Sequence, residues 1–383
     1  MSHPLVPAPG LYLHVPFCLA KCPYCAFRSQ PYQAAAGRRY LAAVAAEIAL
    51  WRRHPLVRDC RFASLFVGGG TPTVLGLALP ELLAACRQSF RLESGAEVTV
   101  EANPNTVDPG LLAALRRAGA NRLSLGAQSL DNGELTQLGR SHDRTQVLAA
   151  TAMAREAGFA NLNLDLMYGL PGQSERSWQD SLEAAIALAP AHLAVYELTA
   201  EPGTPFAARV AAGQLRLPAE DRRLAMDGLA QDLLAAAGFE RYEIANYARP
   251  GYACRHNLGY WANGPYLGLG PGAVSCLAGV RFENEGDLDR YCRRALAGSA
   301  PVARGEALTR GARFRETVIL GLRRLGGVDG RELARRFGLS LETVYGPTLA
   351  ALVEQGLLIR EGEGLRLSAA GLPVANQVLA ELV

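Results

Sequence analysis

The sequence predicts an α/β fold, with a partial (β/α)6 barrel followed by a smaller, winged-helix-like C-terminal domain. Over roughly the first 200 residues, short apolar runs typical of strands alternate six times with longer amphipathic stretches typical of helices. Six such units are fewer than the eight that close a full barrel, which favours an open, partial one. After residue 306 the order changes to three helical segments and a hairpin, as in a winged helix.

The barrel strands are predicted from apolar and β-branched runs that end before polar or glycine-rich loops. They are Leu11–Val15, Ser64–Val67, Glu97–Val100, Arg122–Leu125, Asn161–Leu166 and His192–Leu198. The helices between them are Ala34–Arg53, Leu79–Phe90, Pro109–Ala118, Thr145–Ala157 and Arg176–Leu188. A further helix, Glu220–Ala237, leads into a Gly- and aromatic-rich stretch that adds strands or covering loops. We therefore predict a barrel over residues 1–238 and an extension over residues 239–306.

The remaining part, residues 307–383, contains three predicted helices and a hairpin that turns at Glu361-Gly362. The helices are Leu308–Arg323, Arg331–Phe337 and Leu341–Glu354. In isolation this order suggests DNA binding. The predicted recognition helix, Leu341–Glu354, carries no cluster of arginine or lysine, and the net charge of the whole chain is only +3. We therefore expect a packing or lid domain, and no nucleic-acid partner.

The composition is that of a folded globular protein, with 49% hydrophobic and 20% charged residues. The segment MSHPLVPAPG lacks the basic and apolar pattern of a targeting signal, and no run of about 18 apolar residues follows it. These features predict a cytoplasmic protein, either soluble or peripheral at a membrane. In a reducing compartment the eight cysteines are poor candidates for disulfides.

Three of those cysteines fall in the loop after the first predicted strand, as Cys18-x3-Cys22-x2-Cys25. Three thiolates on one short loop can bind three irons of a [4Fe–4S] cluster and leave the fourth iron open to an outside ligand. A zinc site completed by His14 is the main alternative, but the end of the strand separates His14 from Cys18. Thioredoxin-like chemistry fits less well, because the Cys22/Cys25 pair opens no obvious helix.

A glycine-rich loop and several polar side chains follow the other predicted strands. The loop FVGGGTP ends the second strand, and its glycines let backbone groups approach a ligand closely. Glu101 follows the third strand, Gln128 follows the fourth, and Asp165 lies in the fifth. Because the carboxyl ends of barrel strands form one rim where ligands bind, we expect these groups and the cysteine loop to meet at one mouth.

The extension contains one further candidate site, in the segment CRHNLGYW at residues 254–261. A neutral imidazole such as that of His256 can be an axial ligand of heme iron, and the neighbouring aromatic pair can stack on a porphyrin. Cys254 is a competing ligand. A structural, hydrogen-bonded histidine is the alternative that chemistry alone favours. Because this segment lies outside the six βα units, we expect it to lie apart from the site that they build.

Eight segments, taken in order, resemble one family: YLHVPFC, FVGGGTP, VEANPNT, NRLSLGAQSL, LGRSH, NLDLMYGLPGQ, HLAVYELT and HNLGYW. The family is the oxygen-independent coproporphyrinogen III dehydrogenase-like branch of the radical S-adenosylmethionine (radical SAM) superfamily. The resemblance implies a barrel of the radical SAM type, in which the open iron binds S-adenosylmethionine (SAM). It implies that these residues line the SAM site: Tyr12, Gly69, Gly70, Thr71, Glu101, Gln128, Arg140 and Asp165.

Within that family, the sequence is most similar to the heme chaperones. Phe27 occupies a position at which coproporphyrinogen III dehydrogenases carry a further cysteine. The resemblance thus implies a protein that binds heme, with the HNxxYW segment associated with that binding. It further implies delivery of the heme to membrane respiratory enzymes and an electron donor for the cluster. An oxidase that acts on coproporphyrinogen III in porphyrin biosynthesis is the alternative. A nucleic-acid-modifying radical enzyme is a third hypothesis, but it requires a basic surface that the sequence does not show. No residue is assigned a catalytic role.

Overall fold

The structure is a computed structural model that describes residues 7–383. The strands of the first 200 residues are β1 (Gly10–Val15), β2 (Phe17–Cys18), β3 (Gln30–Pro31), β4 (Arg61–Gly69), β5 (Arg91–Ala102), β6 (Arg122–Gln128), β7 (Asn161–Tyr168) and β8 (His192–Glu197). The strands that follow are β9 (Glu240–Arg241), β10 (Asn246–Ala248), β11 (Tyr266–Leu269), β12 (Val274–Leu277), β13 (Val280–Asn284) and β14 (Val302–Ala307). The C-terminal strands are β15 (Val328–Asp329), β16 (Leu358–Glu361) and β17 (Gly364–Leu367).

The helices that alternate with the barrel strands or follow them are α1 (Ala34–Trp51), α2 (Ala78–Ser89), α3 (Pro109–Arg117), α4 (Asn132–Gln137), α5 (Arg144–Glu156), α6 (Glu175–Ala187), α7 (Pro205–Ala211) and α8 (Glu220–Ala236). The later helices are α9 (Arg255–Trp261), α10 (Leu288–Leu296), α11 (Arg310–Gly321), α12 (Gly330–Phe337), α13 (Leu341–Glu354) and α14 (Ala375–Ala380). Short 3-10 turns cover Pro72–Leu75 and Pro104–Thr106. Polar caps set several helix starts, as at α6, where the Ser174 hydroxyl accepts a hydrogen bond from the Ser177 backbone N–H at 3.0 Å.

Six parallel strands form the partial barrel, which confirms the predicted fold. β1 and β4–β8 lie side by side in chain order, and each pairs in parallel with the next. The sheet continues beyond both edges of the barrel. β11 pairs in parallel with β1 and leads to β12, β13 and β14, whereas β10 and β9 continue from β8. The extension thus adds strands to the barrel sheet, and its boundaries with residues 1–238 and 307–383 stay a prediction.

The barrel strands bury their outward-facing side chains beneath the helices. Leu11, Leu13 and Val15 of β1 have no exposed area, and the residues between them face the inside of the barrel. In β6 every residue from Arg122 to Ala127 is buried, and such continuous burial is typical of parallel strands that are covered on both faces. No helix within residues 7–383 combines the length and the apolar character that crossing a membrane requires.

The C-terminal part has its own apolar core and the predicted winged-helix-like order. Helices α11, α12 and α13 precede a three-stranded sheet with the order β15-β17-β16. Phe314, Leu352 and Leu365 are among the side chains of this core. The additional strand β15 and helix α14 are elements that the sequence pattern did not reveal.

Two details of this part differ from the sequence prediction. The hairpin turns at Gly362-Glu363 and not at Glu361-Gly362, because Glu361 still pairs with Gly364 in the ladder. Helix α13 is kinked and not continuous, since Gly346 has φ +28° and ψ −104°. Pro347 explains the kink, because proline has no backbone N–H and disfavours a helical conformation in the residue before it.

Glu47 is a buried carboxyl group that joins α1 to the extension. It accepts hydrogen bonds from the Tyr291 hydroxyl at 2.6 Å and from the Asn284 side-chain amide at 2.7 Å. The Gly270 backbone N–H donates a third, at 2.8 Å. Burial nonetheless raises the pKa of Glu47 to about 7, since the charged form loses its hydration.

We expect the free energy of unfolding to fall as the pH rises from about 5 to about 8. Between the pKa of 4.5 in the unfolded chain and about 7 in the native one, native Glu47 holds a proton that the unfolded chain has lost. Glu47 thus adds up to about 3 kcal/mol to the free energy of unfolding. This contribution is fully present below about pH 4.5 and is lost as the pH rises through about 7. Tyr40, Tyr291 and Cys86 face Glu47 and remain neutral, because burial raises their pKa values.

Urea unfolding at a series of pH values measures this contribution. Glu47→Gln should flatten the pH dependence, whereas Glu156→Gln, at an exposed position of α5, should preserve it. If the free energy of unfolding depends on pH equally in the two variants, Glu47 is not the titrating group.

Candidate cofactor site

A cavity of about 720 Å³ occupies the inside of the barrel. Its wall contains the residues predicted for the cluster and the SAM site together with His256, but not Cys254: Tyr12, Cys18, Cys22, Cys25, Gly69, Gly70, Thr71, Glu101, Gln128, Arg140, Asp165 and His256. The cysteine loop, the glycine loop and the polar strand ends therefore meet at one place. The individual roles of these residues stay a prediction.

The cysteine loop is anchored by backbone hydrogen bonds. Cys18 lies in β2, and its carbonyl oxygen accepts a hydrogen bond from the Tyr32 backbone N–H at 2.8 Å. The Cys25 backbone N–H donates to the Cys22 carbonyl oxygen at 3.1 Å, which forms a tight turn. All three thiols are free and half-buried. One short, anchored loop thus presents three sulfur atoms to the cavity.

A small polar network supports two of these sulfur atoms. Thr71 Oγ1 donates to Cys18 Sγ at 3.6 Å, and Arg140 Nη1 donates to Cys22 Sγ at 3.4 Å. Asn103 connects the two donors, since its amide donates to Thr71 Oγ1 at 3.2 Å and its oxygen accepts from Arg140 Nη2 at 2.8 Å. Such donors stabilise thiolate over thiol. Asn103 was not among the residues predicted for the site, although it stands in the VEANPNT segment directly after β5.

The glycine loop lies so close to the cysteine loop that side chains are excluded. Gly69 has φ +112°, and a Cβ atom there would meet the ring of His14. A Cβ atom on Gly70 would meet the carbonyl oxygen of Phe17. The Gly69 backbone N–H donates to Glu101 Oε2 at 3.1 Å. The glycines therefore let β4 and the start of the cysteine loop share one edge of the cavity.

Two carboxyl groups line the middle of the cavity. Burial and, to a smaller extent, the nearby Asp165 raise the pKa of Glu101 to about 8. Burial also raises the pKa of Asp165, which accepts hydrogen bonds from Asn163 Nδ2 at 2.6 Å and Ser124 Oγ at 3.3 Å. Gln128 lies nearby with φ +68°, a conformation that is uncommon for a residue with a side chain and that concentrates at functional sites.

Helix α9 closes the amino-terminal end of the barrel. Glu97 of β5 accepts hydrogen bonds from the backbone N–H groups of Arg255 at 3.1 Å and His256 at 3.2 Å. His256 Nδ1 lies 2.8 Å from Ser64 Oγ of β4. His256 therefore lines the same cavity as the cysteines. The expectation that its segment lies apart from the cofactor site is wrong, because the helix folds back beneath strands that precede it by more than 150 positions.

Cys254 is placed differently from His256. Its thiol is fully buried and donates to Glu97 Oε1 at 3.3 Å. Burial raises its pKa to about 12, so the sulfur is protonated at neutral pH. A protonated, hydrogen-bonded thiol is a poor metal ligand, because the thiolate is the form that binds a metal.

His14 is engaged in two hydrogen bonds, which disfavours the zinc alternative. Its Nδ1 lies 3.0 Å from the Tyr12 hydroxyl, and its Nε2 lies 2.9 Å from the Arg28 carbonyl oxygen. Within residues 7–383, no three histidine, cysteine or acidic side chains converge closely enough to hold a single metal ion. A cubane cluster sets no such requirement, since each of three thiolates binds a different iron.

Comparison with known proteins agrees with this geometry. Residues 12–185 match the Radical SAM superfamily, and residues 308–374 match the HemN C-terminal domain. The chain is 33% identical to the heme chaperone HemW of Lactococcus lactis, over 97% of this chain and 96% of the relative. It is 37% identical to the heme chaperone HemW of Mycobacterium tuberculosis, over 99% of this chain and 97% of that relative. The structure of coproporphyrinogen III oxidase (HemN) from Escherichia coli, a radical SAM enzyme, matches with a TM-score of 0.86 at 26% identity, over 99% of this chain and 90% of that one.

The partial barrel and the cysteine loop after its first strand define a radical SAM protein. Membership of that superfamily implies a [4Fe–4S] cluster and SAM as cofactors. The identity and the coverage of the relatives narrow the assignment further. The chain belongs to the HemW family, which confirms the resemblance inferred from the sequence.

The residues of the cavity fit both cofactors. Cys18, Cys22 and Cys25 would hold three irons of the cluster, and the Arg140 guanidinium would offset the negative charge at Cys22. Glu101 and Asp165 would face SAM, which carries ammonium and sulfonium charges that attract carboxylates. When bound, the reduced cluster and SAM supply one-electron chemistry. The barrel wall and helix α9 form the sides and the floor of the cavity in which this chemistry would take place.

We expect Cys22→Ser to abolish the iron–sulfur cluster, because three thiolates are the minimum that holds the cubane on this loop. Iron and sulfide analysis after anaerobic reconstitution measures the effect. Cys60→Ser is the matched control, since that half-buried thiol lies outside the cavity and its hydrogen bond to the Leu56 carbonyl oxygen can be kept by serine. Full iron content in Cys22→Ser, or zinc in place of iron in the wild type, would overturn the assignment.

We expect Asp165→Ala to weaken SAM binding at least about tenfold, the effect of losing one hydrogen bond to a charged group. Cluster content should stay at the wild-type level, because Asp165 bonds to Asn163 and Ser124 and not to the cysteine loop. Isothermal titration with SAM, under anaerobic conditions, measures the affinity. Asp232→Ala, at an exposed position of α8, is the control. Unchanged affinity in Asp165→Ala would remove this residue from the site.

Proposed function

We propose that this protein is a heme chaperone, which binds heme through His256 and transfers it to another protein. The curated relatives over nearly the full length carry the name heme chaperone. The observation that carries the proposal in this chain is the imidazole of His256. Its Nε2 atom is buried and has no hydrogen-bond partner among the described residues, in the wall of a cavity large enough for a ligand.

The surroundings of His256 suit an axial ligand. Burial lowers its pKa to about 3, so the ring is neutral at any physiological pH. If Nδ1–H donates to Ser64 Oγ, then Nε2 carries the lone pair that a metal requires. Phe66 stacks on the ring at 5.1 Å between centroids, and Tyr260 meets it edge-on at 4.7 Å. These contacts fix the plane of the imidazole. Cys254, a buried thiol bonded to Glu97, is the weaker candidate.

The remaining partners follow from the same proposal. A chaperone must release heme to an acceptor, and we propose membrane respiratory enzymes in that role. The cluster requires an electron donor, and the protein would work in the cytoplasm or at the membrane surface. Because His256 and the cysteines share one cavity, binding of heme and binding of SAM would influence each other.

Oxidation of coproporphyrinogen III is the second candidate function, and the structural likeness to the HemN oxidase favours it. Phe27 counts against it. This side chain is 69% exposed at the cavity mouth, in the position where the oxidases have a further cysteine. Anaerobically reconstituted protein with SAM and a reductant, incubated separately with heme and with coproporphyrinogen III, separates the two functions. Stable heme uptake and transfer to apomyoglobin supports the chaperone, and formation of protoporphyrinogen supports the oxidase.

We expect His256→Ala to weaken heme binding at least about tenfold and to change the heme absorption spectrum, with the iron–sulfur cluster retained. Ser64→Ala should weaken heme binding about tenfold, because it removes the group that orients Nδ1. Titration with hemin, followed by absorption spectroscopy, measures both. His54→Ala, in a histidine outside the cavity, is the control. A wild-type affinity and spectrum in His256→Ala would relegate His256 to a structural role.

A further inference from the structure

Arg122 is a buried cation at the closed end of the cavity. It begins β6, is 2% exposed, and lines the cavity wall. Its Nε atom has no hydrogen-bond partner among the described residues. A buried guanidinium without a partner costs several kcal/mol unless something satisfies it. Such groups in a native structure indicate a ligand, an ion or an ordered water.

The nearby carboxyl groups are committed elsewhere. Glu97 accepts its hydrogen bonds from the start of α9, and Asp165 accepts its hydrogen bonds from Asn163 and Ser124. Both act on Arg122 through charge alone. Within residues 7–383, neither carboxylate forms a salt bridge with Arg122. The positive charge therefore has no direct anionic partner among the residues that the structure describes.

Other unsatisfied polar groups surround Arg122. Thr99 of β5 and Asn161 of β7 are its register partners in the sheet, so their side chains project to the same side. The Thr99 hydroxyl and the Asn161 side-chain oxygen are buried and unpartnered, as is Nε2 of His256. Arg122 lines the cavity, whereas Thr99 and Asn161 do not. These two side chains can therefore orient the guanidinium from behind, but they do not reach a ligand in the cavity.

We infer that Arg122 binds a carboxylate of a ligand seated at the closed end of the cavity. A guanidinium presents parallel N–H donors that match the two oxygens of a carboxylate. Two sources carry this chemistry: a heme propionate, in which case the inference rests on the proposed function, and the methionyl carboxylate of SAM. Arg122 precedes Gln128 at the rim by six positions, or about 20 Å along β6. This separation from the cysteine loop favours the propionate.

The test compares heme with its neutral dimethyl ester, and both with SAM, on cluster-loaded protein. Wild type should bind heme at least tenfold more tightly than the ester. Arg122→Gln should lower heme affinity at least tenfold and leave ester affinity unchanged, whereas Arg122→Lys should recover part of the preference for heme. Arg117→Gln, at an exposed position of α3, is the control. Iron content verifies that the barrel is intact, and Arg122→Lys carries the test if the glutamine variant fails to hold the cluster.

Each outcome decides between the sources or against the inference. If Arg122→Gln loses affinity for SAM alone, the bound carboxylate is that of SAM, and the carboxylate site at Arg122 is supported. Equal losses for heme and its ester, with SAM binding unchanged, mean that Arg122 is structural and overturn it. If the wild type binds neither heme nor its ester, the proposed function fails. The SAM affinity then decides the role of Arg122 by itself. An unchanged SAM affinity in Arg122→Gln would in that case overturn the inference.

Discussion

The parallel register of the barrel strands is the constraint on which the site depends. In a parallel ladder, paired residues project to the same side, so each level of the barrel collects side chains that are far apart in the chain. Glu101, Ser124 and Asn163 form one such level, and Thr99, Arg122 and Asn161 form the level below. A shift of one strand by one residue would exchange these polar groups for the leucines that pack beneath the helices. The inward polar set and the outward apolar set thus specify one alignment together.

The carboxylate of Glu97 connects this barrel to the part of the chain that follows it. It accepts hydrogen bonds from two backbone N–H groups at the start of α9 and from the Cys254 thiol. A carboxylate near a helix start is favoured both by these free N–H groups and by the helix dipole. This one contact brings His256 to the inside of the barrel, where it faces the same space as the cysteine loop. Because Glu97 is occupied in this way, Arg122 has no anionic partner among residues 7–383.

The features that the sequence could predict are those with local signals. The cysteine spacing, the glycine loop and the alternation of strands and helices lie within short segments, and they predicted the barrel and the rim residues. The position of His256 could not be predicted, because it depends on contacts with Ser64 and Glu97, which lie more than 150 positions earlier. Asn103 was missed because its role depends on two side chains from other segments. The kink of α13 could have been predicted from the local sequence Gly346-Pro347, but a continuous helix was predicted there.

The helix that forms the barrel floor has a consequence for the order of synthesis. All six barrel strands precede α9 in the chain, and about 60 residues separate β8 from it. At about 5–20 residues per second, the ribosome requires roughly 3–12 s to make that segment. During this interval the strands can align while the lower end of the barrel is still open to water, so Glu97 and Arg122 remain hydrated. Docking of α9 then removes this hydration in one late step, after the loop that carries the cysteines has long been available to iron.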